Sequence, residues 1–273
     1  LGDYIYEYGI DGYASQQAKE LGREVLPEHE LLTLQDYRTR HAQYRTDINL
    51  QELCHTAPLI AVWDDHEISN NAFKNGAENH QQGEGNYLTR KAAAMRAYFE
   101  WMPIRESIDG KNEMIYRSFK FGELLDLHML DTRNIGRDQQ MSYADYSDPE
   151  TGEFNTSSFS SDLMTPDRSM LGSKQLQWLQ DNLKTSTSKW QVLGQQVLMG
   201  RMNLPAAIAT QKMTIEEYKN LAKLAEIAKR LAKSDKKITA TETTYFERNA
   251  HALSPTVEAL LNLPDVPYNL DAW

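Results

Sequence analysis

Three features of the chain predict an α/β fold with a mixed sheet. Segments of helical periodicity lie at 34–56, 87–102 and 214–237, short apolar runs of strand length lie between them, and one adjoining pair of runs meets at Gly122-Glu123 in the manner of a hairpin. With 273 residues, 40% of them hydrophobic, the chain is long and apolar enough to bury a sizeable core as one domain.

Leu34 to Thr56 carries Tyr37, His41, Tyr44 and Ile48 near helical spacing among many charges, which predicts one amphipathic helix. Pro58-Leu59-Ile60-Ala61-Val62-Trp63 follows as a short β-branched run and predicts a buried strand. Tyr87 to Met102 returns to helical periodicity, and Pro103 ends it. Met114 to Phe121 and Leu124 to Leu130 are the two arms of the hairpin. The stretch 138–167 is rich in Ser, Asp, Thr and Tyr without periodicity, so a long surface loop or lid is expected there. Ser173 to Leu183 reads as a helix with Ser173 as its N-cap, and Trp190 to Met199 as a buried strand.

Thr214 to Lys237 predicts an evenly amphipathic helix. Leu221, Leu224, Ala225, Ala228 and Leu231 face inward, and Lys219, Lys223, Lys229, Arg230 and Lys233 face outward. A basic helix can dock an acidic partner or a phosphate-rich surface, but lysines on a wet helix face are ordinary, and a solvated helical insertion is the reading adopted. The single cysteine, Cys54, excludes an internal disulfide, a zinc ribbon and a CxxC redox pair, and near a helix end it reads as an inert buried thiol.

The 39 acidic residues against 29 basic ones give a formal charge of -10, which disfavours nucleic acid and anionic membrane surfaces as partners. No run approaches the roughly 18 apolar residues of a membrane span, and Leu1 to Tyr8 is not a basic-then-apolar signal peptide. The start within a Gly-Asp turn and the end without a polar tail or terminal helix lead to the expectation that both ends are truncated.

Two polar clusters stand where open α/β folds place their sites. In Gly2-Asp3-Tyr4-Ile5-Tyr6 the glycine permits a sharp turn, after which a carboxylate and a phenol three residues apart can face one cation. A free phenol has a pKa of about 10, so Tyr6 as a phenolate needs a strongly Lewis-acidic metal, with Fe(III) the natural candidate. The competing reading is a capping Asp beside core tyrosines. In Trp63-Asp64-Asp65-His66-Glu67, three acids around a histidine repel unless a cation neutralises them. Asp65 is then a hard-metal ligand, His66 holds a phosphoryl oxygen or protonates a leaving group, and Asn70 and Asn71 are neutral oxygen donors within reach. The competing reading is an acidic helix N-terminus suited to the dipole.

The run Gly2-Asp3-Tyr4-Ile5-Tyr6-Glu7-Tyr8-Gly9 is followed by Leu34-Gln35-Asp36-Tyr37-Arg38, by His41-Ala42-Gln43-Tyr44-Arg45, and by Trp63-Asp64-Asp65-His66-Glu67 with Asn70-Asn71. Further along stand Trp101-Met102-Pro103-Ile104-Arg105, Leu130-Asp131-Thr132-Arg133, Arg137-Asp138-Gln139, Met170-Leu171-Gly172 before Gln175, and Leu193-Gly194-Gln195-Gln196. As an ordered set over almost the whole chain they resemble the alkaline phosphatase D family of calcineurin-like metallophosphoesterases. The resemblance implies a four-layer sandwich of two mixed sheets flanked by helices, with iron and calcium at the strand ends. It also implies Asp3 as the metal-bridging carboxylate, Tyr6 as the phenolate on the ferric ion, Asp65 as a ligand of the second metal and His66 as the histidine beside the substrate phosphate.

The family's first and last metal motifs have no counterpart here, and the setting of His251 in Asn249-Ala250-His251 does not match the last one. About half a metal site is therefore expected, with weak metal binding and near-background turnover by these residues alone. The function implied is hydrolysis of phosphate mono- or diesters by a metal-activated hydroxide, acting on a small phosphate ester, with Arg133 either clamping the phosphate or held in a structural ion pair. A periplasmic or extracellular location is implied by the resemblance alone. A catalytically silent binding module of the same fold is the alternative.

Overall fold

The computed structural model describes residues 2–13, 15–105, 114–148, 151 and 153–270. It is a mixed α/β protein with small sheets, divided into two compact units: Leu1–Gln140 with Pro166–Val197, and Met141–Thr165 with Leu198–Trp273. No helix among the described residues is long and apolar enough to cross a membrane.

In the first unit, helices α1 (Leu34–Tyr44) and α3 (Tyr87–Trp101) pack on a core that includes Ile5, Leu31, Tyr37, Trp63, Ile68 and Tyr98. The single helix expected over 34–56 is two, α1 and α2 (Ile48–Thr56), because Asp47 accepts hydrogen bonds from the backbone of Asn49 and Leu50 and starts a new helix. The chain before α2 also turns so that the Arg45 guanidinium reaches the Trp101 carbonyl at 2.8 Å. Cys54 is half-buried rather than buried, and its Sγ accepts from Arg45 at 3.4 Å.

Residues 58–63, expected as a strand, belong to no ladder among the described residues, although Ala61, Val62 and Trp63 are buried. Side-chain donors take over part of the ladder's role, since Arg117 Nη2 donates to the Ala61 carbonyl at 2.6 Å.

The hairpin forms as expected: β1 (Arg117–Phe121) runs antiparallel to β2 (Leu125–Met129), with Gly122 at φ +60 in the turn. Helix α6, spanning Gly172–Thr185, supplies the crossover that lets β3 (Trp190–Gly194) lie parallel to β2, in the order β1-β2-β3. Ser173 is not the cap of the crossover helix. It begins one residue earlier, and the Ser169 hydroxyl accepts from the Gly172 N–H at 2.7 Å. Strand β3 is also not buried: Trp190 is 60% exposed, because β3 is the sheet's edge and apolar runs of this length look alike at edge and centre.

In the second unit, the expected loop at 138–167 contains α4 (Tyr143–Tyr146) and α5 (Thr156–Leu163). Its polar residues act as caps, Ser142 with Asp145 on α4 and Asn155 on α5, and both helices are too short to register a helical period. β4 (Asn203–Pro205) pairs antiparallel with β5 (Asp265–Pro267), and α7 (Ala206–Ala209) follows β4 directly. Helix α8 spans Ile215–Ala232 behind a Thr214–Glu217 capping box and packs on α9 (Ala240–Asn249), and α10 (Pro255–Leu261) completes the unit. Leu224 and Ile227 are its buried residues, with Leu221, Ala225, Ala228 and Leu231 half-buried beside them.

Candidate functional site

The first cluster is held by long-range hydrogen bonds. Arg40 on α1, fully buried, donates to the carbonyls of Tyr6, Tyr8 (2.9 Å), Leu26 (2.8 Å) and Pro27 (3.2 Å), which fixes the extended run from Tyr4 to Gly9. A Cβ on Gly2 would overlap the backbone nitrogen and Cβ of Asp64, so glycine is what lets the two clusters meet. Asp3 follows at φ +56, a left-handed conformation that Asp adopts more readily than most side chains. Glu67, buried, then accepts from the backbone N–H groups of Asp3 (3.1 Å), Tyr4 and Asp64 (2.6 Å). Burial pushes its carboxyl up to about 7 against the pull of those donors.

The junction brings donor atoms of Asp3, Asp65 and His66 all within 4.8 Å of one another. Asp3 Oδ1 is buried there without a hydrogen-bond partner. Burial, and then the charge of Asp65, raise the Asp3 pKa. Asp65 directs Oδ2 to the Asn71 N–H at 2.6 Å and Oδ1 toward Arg133 Nη2 at 3.5 Å. The Tyr6 ring stacks on His66 with centroids 4.1 Å apart and planes at 22°. Its phenol is pushed up to about 12, first by burial and then by Asp3, Tyr13 and Asp65. An unpartnered buried carboxylate oxygen beside a second carboxylate, an imidazole and a phenol is a donor set that fits a hard cation.

His66 is oriented by Glu7. The Glu7 side chain is fully buried; Oε2 lies 2.7 Å from His66 Nδ1, while Oε1 accepts from the Asn70 N–H at 2.6 Å and from Asn79 Nδ2 at 2.8 Å. Burial alone would lower the His66 pKa. The hydrogen bond and charge of Glu7, followed by Asp65 and Asp3, outweigh it, so the net shift is upward. With Nδ1 engaged, Nε2 is the nitrogen left to face a reactant.

The structure thus brings Asp3, Tyr6, Asp65, His66 and Arg133 together. Arg133 forms the ion pair foreseen as one of its two readings, with Nε 2.6 Å from Asp64 Oδ1. Asn70 and Asn71, by contrast, direct their side-chain amides to Glu78, and Asn71 Oδ1 faces Gln140 at 3.5 Å. His251 is exposed on a short 3-10 helix of the second unit. Glu7, Glu67 and Arg40 escaped the sequence reading. Glu7 and Glu67 have only their membership of the motif runs as a local signal and Arg40, which lies between two of the runs, has none, because a buried carboxylate or guanidinium is recognised by partners distant in the chain.

Behind Arg133, Asp131 accepts from Trp63 Nε1 at 2.8 Å and from the backbone of Arg133 (2.9 Å) and Asn134 (2.7 Å). Gln175 and Gln196 clamp the same strand end, Gln175 bonding both backbone groups of Asp131, and Gln196 bonding the Thr132 N–H and the Leu130 carbonyl, each at 2.8 Å. These contacts account for Trp63, Asp131, Gln175 and Gln196 as members of one motif set: they brace the loop that carries Arg133.

The sequence profile of PhoD-like phosphatases matches residues 1–273. Over 205 residues the chain is 40% identical to alkaline phosphatase D of Bacillus subtilis strain 168, an alignment that covers 74% of this chain and 33% of that protein. It is similar to the solved structure of PhoD with a TM-score of 0.60 and 38% identity, covering 74% of this chain and 36% of that one. The chain spans about a third of the length of the relatives it matches.

Proposed function

Because the chain belongs to the PhoD-like phosphatase family, we propose that it hydrolyses phosphate mono- or diesters at the junction of Asp3, Asp65 and His66. The observation that carries this is the convergence of those three groups within 4.8 Å around a buried carboxylate oxygen with no partner. The four-layer sandwich and an exported location are part of the same reading, supported by the likeness to PhoD.

Asp3, Tyr6 and Asp65 would hold ferric iron and calcium, which when bound supply Lewis-acid activation of water and neutralisation of phosphoryl charge. Arg133 lies beside this cluster with Nη1 free of partners among the described residues, and it binds the non-bridging oxygens of the phosphate. Glu7 holds His66 so that Nε2 carries the proton given to the leaving alkoxide oxygen as its bond to phosphorus breaks. Glu67 and Arg40 act on the backbone alone, keeping Asp3 and Tyr6 on the side of His66.

The test is metal content and hydrolysis of bis(p-nitrophenyl) phosphate in the whole protein, rather than in these residues alone, supplied with iron and calcium and compared with Asp3→Asn. Bound metal and hydrolysis should fall together in the variant. Hydrolysis unchanged in Asp3→Asn would sink the assignment, and metal bound with no hydrolysis at all would favour the catalytically silent module.

A further inference from the structure

We propose that Glu78 is a positioning residue of the same site, holding one short loop whose backbone serves both Asp65 and, through Glu7, His66. The inference rests on the hydrolase reading above and adds a residue to its machinery. The loop runs from Asn70 to Asn79 and returns close to its start: the Asn79 N–H donates to the Asn70 carbonyl at 3.3 Å, and Phe73 pairs with Gly76 inside it. Its two ends carry donors for the site. The Asn70 N–H and Asn79 Nδ2 donate to Glu7 Oε1 at 2.6 and 2.8 Å, and the Asn71 N–H donates to Asp65 Oδ2 at 2.6 Å. Successive N–H groups therefore serve two different carboxylates, one assigned to the metal and one to the histidine. Asn71 stands at φ +53, a left-handed conformation that a residue other than glycine keeps only where its surroundings fix it.

Glu78 supplies that fixing. A single oxygen, Oε2, accepts from Nδ2 of Asn70 at 3.1 Å and from Nδ2 of Asn71, so one carboxylate holds the side chains of both residues whose N–H groups reach the site. Glu78 is exposed and forms no ion pair among the described residues, so the two amides are what it holds. The rest of the loop is fixed independently from α3 and α1. Arg90 Nη1 donates to the Asn79 carbonyl at 2.9 Å, and the Tyr37 hydroxyl donates to the Ile68 carbonyl at 2.6 Å. Removing the Glu78 side chain consequently loosens Asn70 and Asn71 without releasing the loop.

The test uses Glu78→Ala and Glu78→Gln in the whole protein, with three measurements on each. In Glu78→Ala, amide exchange at Asn70 and Asn71 in metal-free protein should quicken about tenfold while exchange in α1 and α3 stays as in wild type. Calcium affinity, by calorimetry, and kcat on bis(p-nitrophenyl) phosphate should each fall about tenfold, the low end of the range for groups that orient ligands from outside, with KM little changed. Glu78→Gln should recover most of all three, because one amide oxygen can accept from both asparagines while its NH2 faces water. Calcium affinity and kcat at wild-type values in Glu78→Ala would overturn the role, whether or not exchange quickens, since the loop would then be supported without consequence for the site. A Glu78→Gln no better than Glu78→Ala would overturn it too, by making negative charge rather than the shared acceptor the cause. Wild type that binds calcium without hydrolysing the ester removes the hydrolase reading, and exchange together with calcium affinity still decides for Glu78. Hydrolysis by wild type with no loss in Glu78→Ala does the reverse. Wild type that does neither overturns both.

Discussion

Glu7 Oε2 sits 2.7 Å from His66 Nδ1, a contact between residues 59 positions apart that joins the two polar clusters through a fully buried carboxylate. The other oxygen of Glu7 is equally occupied, by Asn70 and Asn79. Glu7→Gln keeps the shape but replaces an acceptor with an amide that cannot serve all three donors. Turnover should fall by about 10- to 100-fold, the usual effect of removing a group that orients a functional histidine, while bound metal stays constant. Steady-state kinetics beside metal analysis checks this, and a parallel loss of metal would show that Glu7 shapes the ligand cluster itself.

Asp65 and His66 are adjacent in sequence and are assigned different roles. Asp65→Ala should lower metal occupancy, whereas His66→Ala should leave it in place and reduce turnover by about 10² to 10⁴. Metal content and kcat measured on the same samples decide the matter. Equal metal loss in both would make His66 a ligand, an outcome the 4.8 Å cluster accommodates geometrically.

Tyr6 is the residue whose role depends most on the identity of the metal. Its phenol is pushed up to about 12, so it stays neutral at ordinary pH unless a strong Lewis acid takes the proton. Protein loaded with ferric iron should show a visible phenolate-to-iron absorption band that disappears in Tyr6→Phe. A colourless, iron-free and fully active protein would remove both Tyr6 and iron from the reaction.

His41 gives a pH-dependent stability away from the site. Its ring is fully buried, stacks on Trp101 with planes at 6°, and has both nitrogens without hydrogen-bond partners. Burial, and secondarily Arg45, lower its pKa from 6.5 to about 4. The unfolded chain therefore binds this proton more readily than the folded one. The contribution is fully present above pH 6.5 and is lost as pH falls toward 4, by up to about 3 kcal/mol. The Tm of wild type should drop more steeply than that of His41→Phe between pH 7 and pH 4. Parallel curves for the two proteins would acquit His41.

The elements legible in the sequence are those whose cause is local. Helix α3 has its apolar spacing and its terminating Pro103, α8 has its capping box and even stripe, and the β1–β2 hairpin has Gly122 where the turn needs positive φ. The motif runs likewise singled out Asp3, Tyr6, Asp65, His66 and Arg133, and for Asp65 and His66 the signal was also local, because clustered acids beside a histidine repel one another wherever they fold.

Tertiary structure alone decided which groups hold these residues in place and which apolar runs are covered. Glu67 ties Asp3 and Tyr4 to Asp64, Arg40 ties Tyr6 and Tyr8 to α1, and Glu7 ties His66 to the first cluster, across separations of 32 to 64 residues. Asp47 divided one helical pattern into two, and β3 lies at the sheet edge although its composition matches a buried strand. Periodicity and capping act within a turn or two of chain. A buried carboxylate or guanidinium is stable only through partners that the fold delivers from far away, so its role exists only once the fold has formed.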